Sequence, residues 1–144
     1  MSIRYKELVK SDYASSFSLW EKTEGMSITK ADTLEAFDLF LNSNPGISFG
    51  AFDEDKLIGT VLCGTDGRRG YIYHLAVEKE YRRMNIASKL VSLSIEALKK
   101  NRIEKCHIFV FKNNEDGNTF WEKSGWKKER ILMFFHSNKG LLMI

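Results

Sequence analysis

The sequence predicts an α+β layer structure built on a mixed sheet, and three observations support this class. Apolar runs with strand spacing open the chain and return as a meander between residues 47 and 77, which is typical of antiparallel strands. Apolar residues at helical spacing fill residues 86–100, between two predicted strands, and such a crossover makes those strands parallel. The length of 144 residues suits one domain, which we expect to span residues 1–144.

The elements follow in the order strand, two helices, three-strand meander, helix, strand, helix, strand. Strands are predicted from alternating or continuous apolar residues, and helices from apolar residues three or four positions apart. The predicted strands are 3–8, 47–52, 56–63, 71–77, 105–111 and 126–136, with a terminal stub at 141–144. The predicted helices are one carrying Phe17 and Trp20, then 33–41, 86–100, and 115–123 with a stop at Gly125. Because residues 105–111 are apolar on both faces, we expect a central strand there.

Composition excludes several classes of function. The net charge of +3 is spread along the chain, which argues against nucleic-acid binding because no basic face is indicated. No apolar run approaches the roughly 20 residues that span a bilayer, and no signal-peptide core opens the chain, so we expect a cytoplasmic protein without a membrane partner. The histidines lack neighbours at metal-ligand spacing, so no metal site is expected. Cys63 and Cys106 lie in apolar runs; reduced, buried thiols are expected, and a disulfide stays open.

The segment "LAVEKEYRRMNIASKL", residues 75–90, places two arginines between a strand end and a helix start. Unpaired amides at a helix N-terminus carry partial positive charge and bind phosphate. Arg82 and Arg83 would add charge and forked donors. A pair of arginines is otherwise an ordinary solvated surface feature. Its position at the carboxyl end of a strand favours an anion site.

This segment resembles the acyl-coenzyme A binding signature of the GNAT superfamily of N-acetyltransferases, an apolar strand end followed by Arg/Gln-x-x-Gly-x-Gly/Ala at a helix start. Residues 113–126, "NNEDGNTFWEKSGW", resemble a second signature, Asn and a short helix ending Tyr-Glu-Lys-x-Gly-Phe. The resemblance extends over residues 3–136. It implies the small single-domain bacterial type, an α/β sandwich whose mixed, mostly antiparallel sheet has six to seven strands and helices on both faces. It also implies acetyl-CoA as cosubstrate, without a metal; we expect a monomer or homodimer.

Carried over position by position, the resemblance implies a pyrophosphate site at the start of helix 86–100. Arg82 matches the leading Arg/Gln, and Ala87 matches the final small residue. Asn85 stands where the first Gly is usual, and Asn is the residue other than Gly that best tolerates positive φ. The pantetheine arm would lie beside the preceding strand like an added strand, and Asn114 would bond it near its thiol. The implied cofactor-binding residues are Leu75, Ala76, Val77, Arg82, Arg83, Met84, Asn85, Ile86, Ala87, Ser88, Asn114 and Trp121.

The implied catalytic groups lie on strand 71–77. The backbone N–H of Leu75 would stabilise the oxyanion, and the family's bases match Tyr71 and Tyr73. Strict alternation places those three residues on one face and turns His74 to the other, where we expect a structural histidine with a base as the alternative. Trp121 stands where the family has the tyrosine that protonates the leaving thiolate. Because an indole N–H has no usable acidity, we expect Trp121 to line the pocket.

The sequence therefore predicts an N-acetyltransferase that transfers an acetyl group from acetyl-CoA directly to a primary amine of a small molecule or peptide. A catalytically weak acyl-CoA sensor of the same fold is the alternative, because Trp121 and the glycine-free loop depart from the signatures. A nucleic-acid or protein-interaction domain without coenzyme A rests only on the mild basicity. No motif identifies the acceptor.

Overall fold

The structure, a computed structural model, describes residues 2–129, 133 and 135, in which five strands form one mixed sheet in the order β1-β2-β3-β4-β5. The strands are β1 (Ile3–Glu7), β2 (Phe49–Asp53), β3 (Lys56–Thr65), β4 (Gly70–Val77) and β5 (Cys106–Ile108). The helices are α1 (Tyr13–Glu21), α2 (Leu34–Ser43), α3 (Ile86–Lys100) and α4 (Glu115–Lys123). None of the helices in these residues has both the length and the apolar character needed to cross a bilayer.

The sheet is antiparallel from β1 to β4 and parallel between β4 and β5. The parallel pair aligns Gly70 with Cys106 and Ile72 with Ile108, and α3 makes the crossover between the two strands. The prediction that this helix joins two parallel strands is therefore confirmed. Only residues 78–85 separate the carboxyl end of β4 from the start of α3.

Helices cover both faces of the sheet. On one face, Trp20 of α1 and Phe37 of α2 belong to a buried cluster with Ala76 of β4. On the other face lies α3, whose Leu98 is so close to β4 that a Cβ at Gly70 would stand 2.5 Å from its Cδ1 atom. A larger residue at this position would force the Leu98 side chain to shift. The sequence reasoning did not anticipate this close approach.

The chain divides into two units, Met1–Phe111 and Lys112–Ile144. The second contains α4, whose first turn is capped by Asn114, with Oδ1 accepting from the backbone N–H of Gly117 at 2.9 Å. After the helix, Gly125 takes φ 88° and donates to Glu122, while Trp126 N–H donates back to the carbonyl of residue 121. These two bonds form a Schellman motif, so the predicted stop at Gly125 is confirmed.

Two predictions about the sheet need correction. Six to seven strands were expected, whereas the described residues contain five. Residues 126–129 form no strand, and residues 130–132, 134 and 136 of the predicted strand 126–136, together with the stub 141–144, lie outside the described residues. The predicted central strand 105–111 is only the short β5, and among the described strands it is the last in order. Beyond it Phe109 is 62% exposed and Phe111 is 64% exposed. An apolar run indicates burial, but it does not determine where pairing with the neighbouring strand stops.

Candidate active site

A β-bulge interrupts β4 in the middle of the predicted catalytic segment. Tyr73 and Ala76 pair with residues of β3 that are two positions apart, so His74 and Leu75 share one partner position. His74 has the left-handed φ of 45° that accompanies this irregularity. An extra residue in one strand leaves its backbone groups off the regular ladder and shifts the alternation of the side chains that follow. No local residue preference in "YIYHLAV" announces the bulge.

The bulge places His74 on the face of the sheet covered by α1 and α2. Tyr73 lies on that face, with its ring centroid 5.9 Å from that of Phe40 of α2. The ring centroid of His74 is 4.6 Å from that of Trp20 of α1. The prediction that alternation turns His74 away from Tyr73 is therefore wrong. The bulge interrupts the alternation, so these two consecutive side chains lie on the same face.

His74 forms a close pair with Asp32, a residue that the sequence reasoning missed. The Nε2 atom of His74 lies 2.7 Å from Oδ1 of Asp32, which is 7% exposed. The other carboxylate oxygen accepts from the backbone N–H of Thr29 at 2.9 Å. The only sequence signal for Asp32 is its place in a Thr-x-x-Asp capping box, which indicates a local turn and says nothing of a partner 42 positions away.

One edge of β4 is open beyond β5. The pairing with β5 covers Gly70 to Ile72 and ends with Ile108, while β4 continues to Val77. In the part of the chain that the structure describes, no strand pairs with residues 73–77 on that side. The free backbone groups of such an edge can hydrogen-bond an extended ligand, as an added strand would. Leu75, which is half-buried, lies in this stretch at the bulge.

The loop between β4 and α3 holds one arginine against the strand end. Nε of Arg82 donates to the carbonyl of Val77 at 3.2 Å, which positions the guanidinium where β4 finishes. The nearby carboxylate of Glu78 is 8% exposed and already forms an ion pair with Lys22 at 2.5 Å. Among the described residues Arg82 forms no ion pair with this carboxylate, and its side chain is exposed.

The start of α3 has the backbone conformation expected of an anion-binding turn. Asn85 is the N-cap with φ 60° and ψ 20°, so the prediction of positive φ at this position is confirmed. Its side chain makes no capping hydrogen bond, which leaves the first-turn amides of α3 without a side-chain acceptor. Arg83 is also left-handed, at φ 66°, a conformation that costs about 1 kcal/mol in a residue other than Gly or Asn. This second left-handed residue was not predicted.

The other predicted binding residues differ in how far they are accessible. Met84 and Ser88 are exposed and Ala87 is half-buried, so the turn presents its backbone to solvent. Ile86 is 2% exposed, because its side chain anchors α3 to the sheet. In this residue only the backbone N–H is suited to contact a ligand.

The pKa values of two side chains on and near β4, Tyr73 and Cys63, are raised. Burial, with a smaller contribution from the neighbouring Tyr71, raises the pKa of the Tyr73 phenol. The hydrogen bond with Cys106 and then burial raise the pKa of the Cys63 thiol. Both cysteines are free thiols. Among the described residues, no three His, Cys, Asp or Glu side chains come together as a metal ion would require.

In the second unit, both predicted ligand residues have structural roles of their own. Asn114 uses its side-chain oxygen as the cap of α4, which leaves its Nδ2 group for another partner. Trp121 is 8% exposed, with its ring centroid 5.0 Å from that of Phe120 and 4.7 Å from that of Trp126. Trp121 therefore belongs to an aromatic cluster. Its predicted role as a pocket-lining residue stays a prediction.

Comparison with known proteins assigns the family. The acetyltransferase (GNAT) family pattern matches residues 9–126, so this chain belongs to the acetyltransferase (GNAT) family. N-alpha-acetyltransferase 30 of Schizosaccharomyces pombe is 34% identical over 104 residues, which cover 69% of this chain and 69% of that protein. The family resemblance and the class of enzyme predicted from the sequence, an N-acetyltransferase, are confirmed.

Solved structures show the same fold. The PaiA N-acetyltransferase from Thermoplasma acidophilum, crystallised in complex with coenzyme A, has a TM-score of 0.78 at 23% identity and covers 90% of this chain and 92% of that one. The NatC complex bound to Gag peptide and CoA contains a chain with a TM-score of 0.72 at 26% identity, covering 85% of this chain and 83% of that chain.

Proposed function

We propose that this chain transfers the acetyl group of acetyl-CoA directly to a primary amine, and that the acceptor is the N-terminal α-amine of a peptide. The observation that supports this most directly is the open edge of β4, which runs from the bulge at His74 and Leu75 to the arginine-bearing start of α3. A ligand with an extended amide arm and a pyrophosphate needs these two features in this order.

The residues present fit coenzyme A by the chemistry of their donors. The pyrophosphate would be held by the first-turn amides of α3 together with Arg82 and Arg83, all donors and none an acceptor. The amide groups of the pantetheine arm would pair with the backbone of residues 75–77. When bound, acetyl-CoA supplies the activated acetyl group.

The chain's own groups then perform two tasks. The backbone N–H of Leu75, displaced from the ladder by the bulge, would donate to the oxygen on which negative charge develops. Tyr73, whose pKa is raised by burial, keeps its proton and would donate it or orient water beside the acceptor. Trp121 has no acidic group to contribute.

The acceptor class rests on the relatives. N-alpha-acetyltransferase 30 of Schizosaccharomyces pombe is named for acetylation of an α-amine, and the NatC complex was solved with a peptide and CoA bound. An α-amine has a pKa near 8, whereas a lysine amine titrates near 10.4, so a larger fraction of the α-amine is neutral at pH 7. A small-molecule amine remains the second acceptor class, because one of the structural relatives is an aminoglycoside acetyltransferase. The comparisons do not favour the sensor alternative.

The test combines binding with turnover on the full chain. Calorimetry measures acetyl-CoA affinity, and thiol release is followed with short peptides that carry a free N-terminus, the same peptides with a blocked N-terminus and a free lysine, and small polyamines. We expect tight acetyl-CoA binding and release of thiol with the free N-terminus only. Tight binding without turnover on any amine would favour the sensor, and failure to bind acetyl-CoA would refute the proposal as a whole.

A further inference from the structure

We propose that His74 is the base that receives the proton of the acceptor amine, and that Asp32 is the positioning residue that orients it. This inference rests on the proposed function, because it assigns a role within that reaction. It was not the expected assignment, since alternation pointed His74 to the wrong face. The bulge reverses that expectation by placing His74 on the face of Tyr73.

The hydrogen bond to Asp32 determines which ring nitrogen is free to act. A carboxylate only accepts hydrogen bonds, so in the neutral imidazole the proton lies on Nε2, 2.7 Å from Oδ1 of Asp32. The lone pair is then on Nδ1, the atom that can take up a proton. In the described residues Nδ1 has no hydrogen-bond partner, and the only fully buried side-chain oxygen or nitrogen without a partner is Oγ of Ser16. Nδ1 is therefore not sealed inside the core.

The surroundings hold the imidazole in one orientation. Asp32 is itself fixed, because its second oxygen accepts from Thr29 and its backbone carbonyl accepts from the hydroxyl of Tyr13 at 2.5 Å. On the strand side, the hydroxyl of Thr60 donates to the carbonyl of His74 at 2.9 Å. The indole of Trp20 covers one side of the ring. Asp32 is the charged group in contact with the imidazole, and it would stabilise the imidazolium that forms.

The step balances without any further reagent. The acceptor nitrogen bonds to the acetyl carbon, and its proton passes to Nδ1 of His74, directly or through one water. The carbon–sulfur bond breaks, and its electron pair leaves with the sulfur. The imidazolium then returns the proton to the thiolate or to solvent, so that the products are the N-acetylated amine and free thiol.

The test uses the full chain with acetyl-CoA and a peptide with a free N-terminus. In His74→Ala we expect kcat to fall about 100-fold, as is common when a general base is lost, while acetyl-CoA affinity is unchanged. Added imidazole should restore much of the rate. Pyrazole should not, because it fills the same space but is a far weaker base; equal rescue by both azoles would mean that His74 only fills a cavity and would overturn the proposal.

Two further variants test whether Asp32 orients the imidazole of His74 or only anchors the segment between α1 and α2. Asp32→Asn keeps the shape of the side chain and should lower kcat at least tenfold with little change in the KM for peptide. Tyr13→Phe removes only the hydroxyl bond to the backbone carbonyl of Asp32 and leaves both carboxylate bonds, so it should lower kcat less than Asp32→Asn does. Should His74→Ala fail to fold, His74→Gln replaces it. Wild-type kcat in a folded His74→Gln or Asp32→Asn variant would refute this inference alone, whereas an inactive wild type would refute the proposed function.

Discussion

Removing the two arginines of the β4–α3 loop should weaken acetyl-CoA binding far more than removing two arginines elsewhere. The change is Arg82→Ala with Arg83→Ala. The chain provides a matched control in Arg68→Ala with Arg69→Ala, a second adjacent pair at the opposite end of β4. Both double variants remove two positive charges. The turn of the control pair should survive, because Asp66 holds it through the backbone N–H groups of residues 68 and 69, at 2.8 Å each.

The expected magnitude follows from the number and exposure of the bonds. Each charge-assisted hydrogen bond contributes about 1.5–3 kcal/mol. The Nε donor of Arg82 already bonds the carbonyl of Val77. Both arginines are exposed, so screening by solvent and salt favours the lower end of this energy range for each of them. Two such bonds give about 3 kcal/mol, which corresponds to about a 100-fold increase in Kd. The control pair should change Kd by less than about threefold, through long-range attraction alone.

The assay is calorimetric titration of acetyl-CoA at two ionic strengths, with circular dichroism to confirm folding. The Kd of the loop variant should also depend less on salt than that of the wild type, because two phosphate contacts are gone. Equal weakening in both double variants would show that only net charge matters. An unchanged Kd in the folded loop variant would remove the basis for a pyrophosphate site at α3.

Three further outcomes test individual positions. Asn85→Gly relieves any strain of the left-handed N-cap and should hold the Kd for acetyl-CoA within about threefold in calorimetry; a tenfold loss would identify the Asn side chain as a ligand. In Gly117→Ala the new Cβ would stand 2.7 Å from Nδ2 of Asn114, so loss of the cap should offset the usual gain of about 1 kcal/mol for Ala in a helix. In the Asn114→Ala background the same substitution should instead raise the unfolding free energy, and denaturant unfolding measures the difference. Trp121→Phe should lower the melting temperature of a tightly packed aromatic cluster but keep most of kcat, and a steep loss of kcat with normal acetyl-CoA binding would assign the indole a catalytic role.

Elements with local signals were predicted well. The helix at 86–100 and the helix at 115–123 match α3 and α4 to the residue, because apolar spacing marks the first and Gly125 marks the end of the second. The left-handed Asn85 was also predictable, since few residue types tolerate that conformation. In each case the residues that determine the local structure lie within a few positions of it in the sequence.

Features that depend on distant partners were not predicted. The pairing of His74 with Asp32 joins residues 42 positions apart, and nothing in either neighbourhood specifies the other. The bulge depends on the register between β3 and β4, which residue preferences do not encode. The end of β5 at Ile108 likewise depends on another strand, because β5 ends where its pairing with β4 ends.

The bulge in β4 also determines which positions a library should vary to change acceptor preference. Before the bulge, odd-numbered residues face α1 and α2; after it, the even-numbered Ala76 does, and Val77 pairs with Gly59 on the α3 side. A design that followed strict alternation would randomise positions 71, 73, 75 and 77. Two of these four positions would be poorly chosen, because residue 75 is the proposed oxyanion donor and residue 77 lies on the α3 side. Positions 71 and 73 are the ones to vary, whereas 74 is kept because it carries the proposed base, and 76 is the buried floor of this face.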